Sequence, residues 1–429
     1  MKRVQSRRVP PLHSQRGAVA LIVTMVLFFA MTLVAAYVNR NLVFEQRISA
    51  NQYRATQAFE AAEAGLEWAL AQLNNPLKLG DDCRPGTAAN DKSFRERYLG
   101  HDAATAHHTP LTWIRGPQQV ALQPTCVRAG TGWDCSCPTG GDPSLTANSH
   151  AGPAAAFSIR FVRARQPGAL RVVADGCTNL AGVCLPGSGS FATATAQAQE
   201  VVALVPGLVT APAAPLTLRE GVVSDASLGL HNTDAASGGS VLHAGSAVSL
   251  PNARITTVPG GTPSLTMAGD DLALQSLAPS RFFSSFFGLD KNAWRLQPAV
   301  RTVACQGVCN TAVAQAINAG SGPALLWVDG DVALDGPLTL GSAAQPVMLL
   351  ARGTVRLSGS VRMHGVLHGS RIEWNDNSSG AGLLRGAAMS ESGFSGNGVP
   401  DLYYDAAVLA ALKGNSGSFA RVPGSWRDF

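Results

Sequence analysis

The 429-residue sequence predicts an α+β protein. A long N-terminal helix would pack on an antiparallel sheet, and a β-solenoid-like C-terminal domain would follow. Three observations carry that expectation. Ala18 to Val38 is a run of 21 residues without a charge, enough to cross a bilayer as a helix. Between Phe157 and Val205, apolar and polar residues alternate in runs bounded by turn signals. Beyond residue 206, Gly-punctuated alternation recurs at a fixed offset.

The helix comes first. After Arg40 the apolar pattern changes rather than stops. Phe44, Ile48, Ala55, Phe59, Ala62, Leu66, Leu70 and Leu73 recur on a helical period and form one stripe. Glu45, Arg47, Arg54, Glu60, Glu63 and Glu67 are interspersed with them. No Gly or Pro interrupts before Gly65, and Asn74-Asn75-Pro76 supplies the stop. A single helix of roughly 55 residues would extend about 80 Å. Its first half suits lipid or other apolar helices, and its second half suits a globular domain.

Residues 1–17 carry Lys2, Arg3, Arg7, Arg8 and Arg16 and no acid. A positive flank keeps the N-terminus cytoplasmic and sends the rest outward. A removable secretory signal would end in small residues at a cleavage site. Here the apolar run leads straight into a second helical pattern, as in a single-pass anchor with an external domain. Gly17-Ala18 stands at the cytoplasmic boundary, and Ala58 to Leu70 reads AFEAAEAGLEWAL. In these features the chain resembles type IV prepilins, and in particular the PilX-type minor pilins. The segments FFGLDK, QPVMLLARG, YYDAAVLAAL and VPGSWRDF also resemble C-terminal regions of such chains.

That resemblance implies cleavage between Gly17 and Ala18 by a prepilin peptidase. It implies an inner-membrane helix with its head in the periplasm, which later enters a pilus core. It also implies partners: other minor pilins, the inner-membrane assembly machinery and a large tip adhesin, in a pilus of the kind used for adhesion and twitching. The family's first mature residue is usually Phe, so Ala18 departs from the pattern. With Ala18 counted first, the fifth mature residue is Ile22, where most pilins of the family carry Glu. A carboxylate in an apolar medium is costly unless paired. An apolar residue there fits a subunit with nothing above it, at or next to the tip. Two alternatives stand beside this reading. One is a GspK-like pseudopilin capping a type II secretion pseudopilus. The other is a membrane-anchored solenoid that binds or processes carbohydrate.

Charge excludes one class. The net charge of +5 equals the five basic residues of the leader, and the remainder holds 28 basic and 28 acidic residues. Nucleic-acid binding, which needs a basic stripe, has no support. Charged residues make up only 14% and there are 45 glycines, which favours small-residue β structure. Eight cysteines lie in the part expected to be exported: Cys83, Cys126, Cys135, Cys137, Cys177, Cys184, Cys305 and Cys309. In an oxidising compartment they read as disulfides. Zinc is the competing reading, but Cys135-x-Cys137 and Cys305-x₃-Cys309 lack suitably spaced histidines. Cys177–Cys184 and Cys305–Cys309 are expected as local pairs, and the other four cysteines leave three pairings open.

The expected divisions are a leader over 1–17, the helix over 18–75, a disulfide-containing, pilin-like β domain over 76–205 and the solenoid-like domain over 206–429. Residues 77–155 read as loops with short elements, anchored by Trp113 and Trp133. Strands follow at Phe157–Val162, Leu170–Val173 and Phe191–Val205, the first two joined by a turn at Gln166-Pro167-Gly168. Pro206, Pro212 and Pro215 mark a linker. WVDGDVALDGPLTL (Trp327 to Leu340) matches LARGTVRLSGSVRM (Leu350 to Met363) at an offset of 23 residues. Inward apolar residues with Gly at corners are how a solenoid coil is written, and each coil must stack to bury its face. The stretches Gly221–Leu230 and Gly238–Leu250 have the same texture. A helical insertion is expected over 270–320, and a short helix over Tyr403–Lys413.

No catalytic motif is present: neither P-loop, nor HExxH, nor GxGxxG after a strand. Ser188 lacks the nucleophile-elbow pattern. His364 and His368 read as surface or turn residues, and His107-His108 as a loop pair. Asp329, Asp331 and Asp335 are a weak calcium candidate without the spacing of a known loop. With Glu373 they do not declare a catalytic pair. The expectation is a structural protein with no cofactor, whose chemistry is packing.

Overall fold

The computed structural model describes residues 16–103, 105–145, 154–179, 184–185 and 194–428. Lys2, Arg3, Arg7, Arg8, Ser188 and Phe191 lie outside the described residues. The chain divides into two units, Met1–Thr56 and Gln57–Phe429. Helix α1 spans Arg16–Asn74, 59 residues. The first unit holds α1 as far as Thr56, and the second unit holds its remaining turns and everything described after them.

Within the second unit, the last turns of α1 lie on an antiparallel sheet of six strands among the described residues. These are β1 (Thr125–Ala129), β2 (Gly132–Ser136), β3 (Ala156–Arg163), β4 (Ala169–Cys177), β5 (Thr195–Pro206) and β6 (Gly417–Arg421), in the spatial order β6-β5-β4-β3-β1-β2. Register is set across the middle, where Val172 faces Phe161 on one side and Glu200 on the other. Ala62, Leu66, Ala69 and Leu73 of the helix share one core with Phe157, Ile159, Leu170, Val172, Ala198 and Val202. Each fully buried leucine contributes about 1.5–3 kcal/mol of burial.

The region before this sheet differs from expectation. Trp113 and Trp133 are only half-buried. The anchors are Phe94 and Tyr98 on a short helix, α2 (Phe94–Tyr98), both almost completely enclosed. Ser93 caps it by accepting from the Glu96 amide. His107 and His108 lie in a strand, His107–Pro110, not a loop, and His108 is buried against Phe419.

Residues 216–403 build sheets of parallel strands. In the first, Leu216–Leu218 lies between Leu242–Ala244 and Leu383–Ser390. The order then continues through Val361–Gly369, Val347–Ala351 and Ala324–Val328 to Val300–Thr302. The second runs Val248–Ser249, Val222–Val223, Phe394–Ser395, Arg371–Asn375, Thr354–Ser358, Val332–Asp335. The residues matched by the 23-residue repeat are direct neighbours: Val332 with Val355, Leu334 with Leu357, Leu338 with Val361, Leu340 with Met363. The chain enters the stack in its middle, winds outward to Ala268, crosses to the far end and winds back.

The crossing is made of short helices: α3 (Leu272–Ser276), α4 (Pro279–Phe287) and α5 (Lys291–Arg295), followed by α6 (Asn310–Asn318). Pro279 at the start of α4 ends any continuous helix before it. Helix α7 (Ala406–Asn415) begins three residues later than expected, because Tyr403 belongs to the strand Asp401–Tyr403. Phe282, Phe283, Phe287 and Trp294 cover one face of the first parallel sheet, over Leu325, Trp327, Met348 and Leu350. The other face packs on the second sheet through Leu326, Leu349, Val355 and Ile372. Ala324–Val328 is buried at every position, as a strand covered on both faces must be.

Candidate functional site

The apolar part of α1 forms because nothing in it breaks a helix and its few polar groups are satisfied locally. Thr24 and Thr32 donate their hydroxyls back to the carbonyls of Leu21 and Phe29, at 2.9 and 2.8 Å. Neither hydroxyl hydrogen is then left for lipid to leave unpaired. Gly17 and Ala18 sit in its first turn, and Ile22 is exposed, at 60%. By length and composition α1 is able to cross a membrane.

The Ala58–Leu70 segment has a separate job. Ala58, Ala61, Ala62, Gly65 and Ala69 give the helix a face with almost no side-chain height, and Ala58, Ala61, Ala62 and Ala69 are buried. A Cβ at Gly65 would stand 3.0 Å from the Phe157 ring. Opposite, a Cβ at Gly176 on β4 would stand 2.0 Å from the Ala58 carbonyl oxygen. Helix and sheet therefore meet backbone to backbone, and small residues at three- and four-residue steps are what that requires.

The end of α1 is tied down. Asn74 donates to the Phe419 carbonyl at 2.9 Å and accepts from the Phe419 amide at 2.6 Å, as a strand neighbour would. The Arg95 guanidinium donates to the carbonyls of Leu73, Asn415 and Gly417. Burial lowers its pKa to about 10, so it stays charged at neutral pH and serves carbonyls at the ends of α1 and α7 and at the start of β6.

Residues 16–67 match the family described as PilX N-terminal. The chain carries a PilX N-terminal domain. That likeness covers the N-terminal helix alone, and this helix is long and apolar enough to cross a membrane. No curated protein sequence matches the chain significantly. Among solved structures it is similar to the competence-associated pilin ComZ from Thermus thermophilus, with 12% identity, 88% of this chain and 98% of that chain covered, and a TM-score of 0.22. A score that low says nothing about fold or function. The PilX N-terminal match spans both the apolar stretch and most of the small-residue face.

The other residues singled out from the sequence divide among structural roles. The cysteines are bonded as Cys83–Cys137, Cys126–Cys135, Cys177–Cys184 and Cys305–Cys309. Asp329 accepts from Arg295 and from the Trp327 indole, and these contacts, the indole first, hold its carboxyl below the usual range. Asp331 pairs with Arg356 at 2.8 Å, and Arg356 also reaches Glu373. Asp335 accepts from the Ser358 hydroxyl. Among the described residues no three metal-ligating side chains converge, so these aspartates are not brought to one point.

His368 corrects the expectation of a surface or turn residue, whereas His364 is only half-buried. Both lie in the strand Val361–Gly369, and His368 is fully buried against Phe283 and Phe287. Its neighbour Glu391 is bound by Lys291 at 2.6 Å, which ties α5 to the parallel stack. Sequence reasoning also missed Glu200, Arg421, Arg95 and Asn74. Their partners lie far away along the chain, and no local pattern announces them.

Proposed function

We propose that this protein is a minor pilin of a type IV pilus, placed at or next to the tip, where it primes assembly and presents a large adhesin. The observation that carries the reading is Ile22 within the PilX N-terminal match. At the fifth position after Gly17 it offers no carboxylate to meet the terminal amine of a subunit above. A subunit assembled first has no such amine to meet, so an apolar residue avoids an unpaired charge. We read residues 216–403 as the β-solenoid-like part of the head, on the strength of parallel strands in repeat register. A head of that size is easier to place once at an end than repeatedly along a shaft. In this reading prepilin peptidase cuts between Gly17 and Ala18, the head folds in the periplasm, and the work done is assembly and not catalysis.

The test is genetic and microscopic. Deletion should sharply reduce surface pili, and Ile22→Glu should lower incorporation of the protein. Mass spectrometry should find a mature N-terminus at Ala18. Labelled protein spaced along whole filaments, or normal piliation without it, refutes the tip role.

A further inference from the structure

An acidic groove opens beside α1 in the second unit, with a volume of about 710 Å³. Glu60, Glu63 and Glu67 stand along the helix at three- and four-residue steps, and Glu200 of β5 lies at the groove's floor. Ala64, Leu66 and Trp426 supply apolar wall, and Trp426 meets Phe59 edge to face. Among the described residues Arg421 is the one cation lining it, shared between Glu67 and Glu200.

Two features mark this groove as built for an occupant. First, Glu200 is only 3% exposed. Its Oε2 meets the Arg421 Nε at 2.9 Å, but its Oε1 has no hydrogen-bond partner among the described residues. A buried carboxylate oxygen without a donor is costly. Second, among the described residues neither Glu60 nor Glu63 has an ion pair. Four carboxylates thus face one guanidinium.

The occupant is cationic, and it is not a metal ion. No three ligating side chains among the described residues are close enough to hold one. A long basic side chain fits better: its methylene stem covers Ala64 and Trp426 while its head reaches Glu200. The first unit shows what kind of surface carries such side chains. Arg40, Arg47 and Arg54 recur every seven residues just beyond the apolar run, which sets them in one stripe on a helix. A neighbouring subunit with a similar N-terminal pattern presents that stripe at its own exit from the apolar core. Contacts between unlike faces of successive subunits are the kind that build open filaments.

We propose that the groove of Glu60, Glu63, Glu67 and Glu200 is a docking site for an arginine or lysine on the N-terminal helix of an adjoining pilin-like subunit. This rests on the reading of the chain as a pilus subunit. The charged rim steers that encounter, and the unpaired Glu200 oxygen gains its donor on assembly.

The experiment uses the full chain in its own host with the other pilins present. Glu60→Lys/Glu63→Lys is compared with Glu60→Gln/Glu63→Gln and with a control reversal, Asp225→Lys, at an acid elsewhere on the head. Both glutamates are exposed, so the head should fold, which disulfide content and protease resistance of the membrane-bound protein check. Sheared filaments should contain at least tenfold less of the lysine variant, an intermediate amount of the glutamine variant and an unchanged amount of the control. An arginine-to-glutamate change in the helix of a neighbouring pilin should restore the lysine variant. Normal incorporation of the folded lysine variant overturns the docking site and leaves the pilin reading standing. Absence of the unaltered protein from filaments overturns both.

Discussion

Gly176 faces the helix with no room for a methyl group. A Cβ there would lie 2.0 Å from the Ala58 carbonyl oxygen and 2.6 Å from the Ala62 amide nitrogen, and both are backbone. Gly65 differs, because its nearest neighbours at 3.0–3.1 Å are side-chain atoms of Phe157 and Ile159, which can shift. Alanine also favours the helix over glycine by about 1 kcal/mol. Gly176→Ala should therefore destabilise the head by about 2–3 kcal/mol, while Gly65→Ala stays within about 1 kcal/mol of the parent. Urea unfolding of the two variants checks the contrast, and equal losses would mean the seam yields as a whole. His108 gives a second prediction at this scale. Burial, and then Arg95, push its imidazole down to about 3. The unfolded chain takes up that proton near pH 6.5 and the native state does not. Between those values the unfolded state binds more protons, so stability falls as pH drops from 6.5 toward 3. His101, His364 and His368, also lowered first by burial, act in the same direction. Glu200 acts oppositely: burial raises its carboxyl, so its contribution improves as pH falls. His108→Phe should flatten the stability profile between pH 6.5 and 4.5 by roughly 1 kcal/mol per pH unit. An unchanged slope would show that His108 is not held neutral.

Elements differ in how far they were legible in the sequence. The long helix was legible because its apolar run and its stop at Asn74-Asn75-Pro76 are local. The neighbours along the 23-residue repeat were legible because each strand writes its own inward and outward positions. Strand β6 was not, since five residues of mixed character carry no alternation, and its partner β5 lies far back in the chain. The entry of the chain into the middle of the parallel stack was hidden for the same reason, because pairing between distant strands leaves no local mark. So was the acidic groove: Glu60, Glu63 and Glu67 read as a solvated helix face until Glu200 is placed beneath them. Disulfides can be ranked at this scale by loop length. Cys83–Cys137 closes a separation of 54 residues and fixes the irregular segment to the buried Arg97, which donates to the Cys137 carbonyl. Cys305–Cys309 closes only 4. Loop-closure entropy gives about 4 kcal/mol for the first and about 2 for the second. Replacing Cys83 and Cys137 by Ser should lower the unfolding midpoint clearly more than replacing Cys305 and Cys309, as read by thermal melts under oxidising conditions.

For the whole molecule, the decisive fact is that the end of the chain returns to the first sheet. Strand β6 pairs with β5 from Val202–Arg421 to Pro206–Gly417, and the tail continues along β5 through paired bonds between Gln199 and Arg427. Phe419 fills the core under α1, its backbone is bound by Asn74, and Arg421 holds Glu67 and Glu200. The chain leaves the first sheet at Pro206, builds the parallel stack and comes back at Gly417, so the C-terminal segment belongs to the sheet that carries the helix. Truncation after Asn415 should therefore cost far more than its few residues suggest. It strips an edge strand from β5, takes away the Phe419 partners of the buried Asn74 side chain and removes the cation beside Glu200. Each buried group left unsatisfied costs about 1–3 kcal/mol, and the lost packing of Phe419 adds about 3–5. Together these approach the stability of a whole domain. Truncation after Val422 keeps β6, Phe419 and Arg421 and loses the tail bonds and the Trp426 contact with Phe59, so it should fold with a lowered melting temperature. The measurement is protease resistance of each truncated protein beside the parent, with the parallel stack and the antiparallel sheet followed by separate cleavage products. If the shorter chain keeps a protease-resistant antiparallel sheet, the sheet stands without its returning strand and this closure is not what holds the helix.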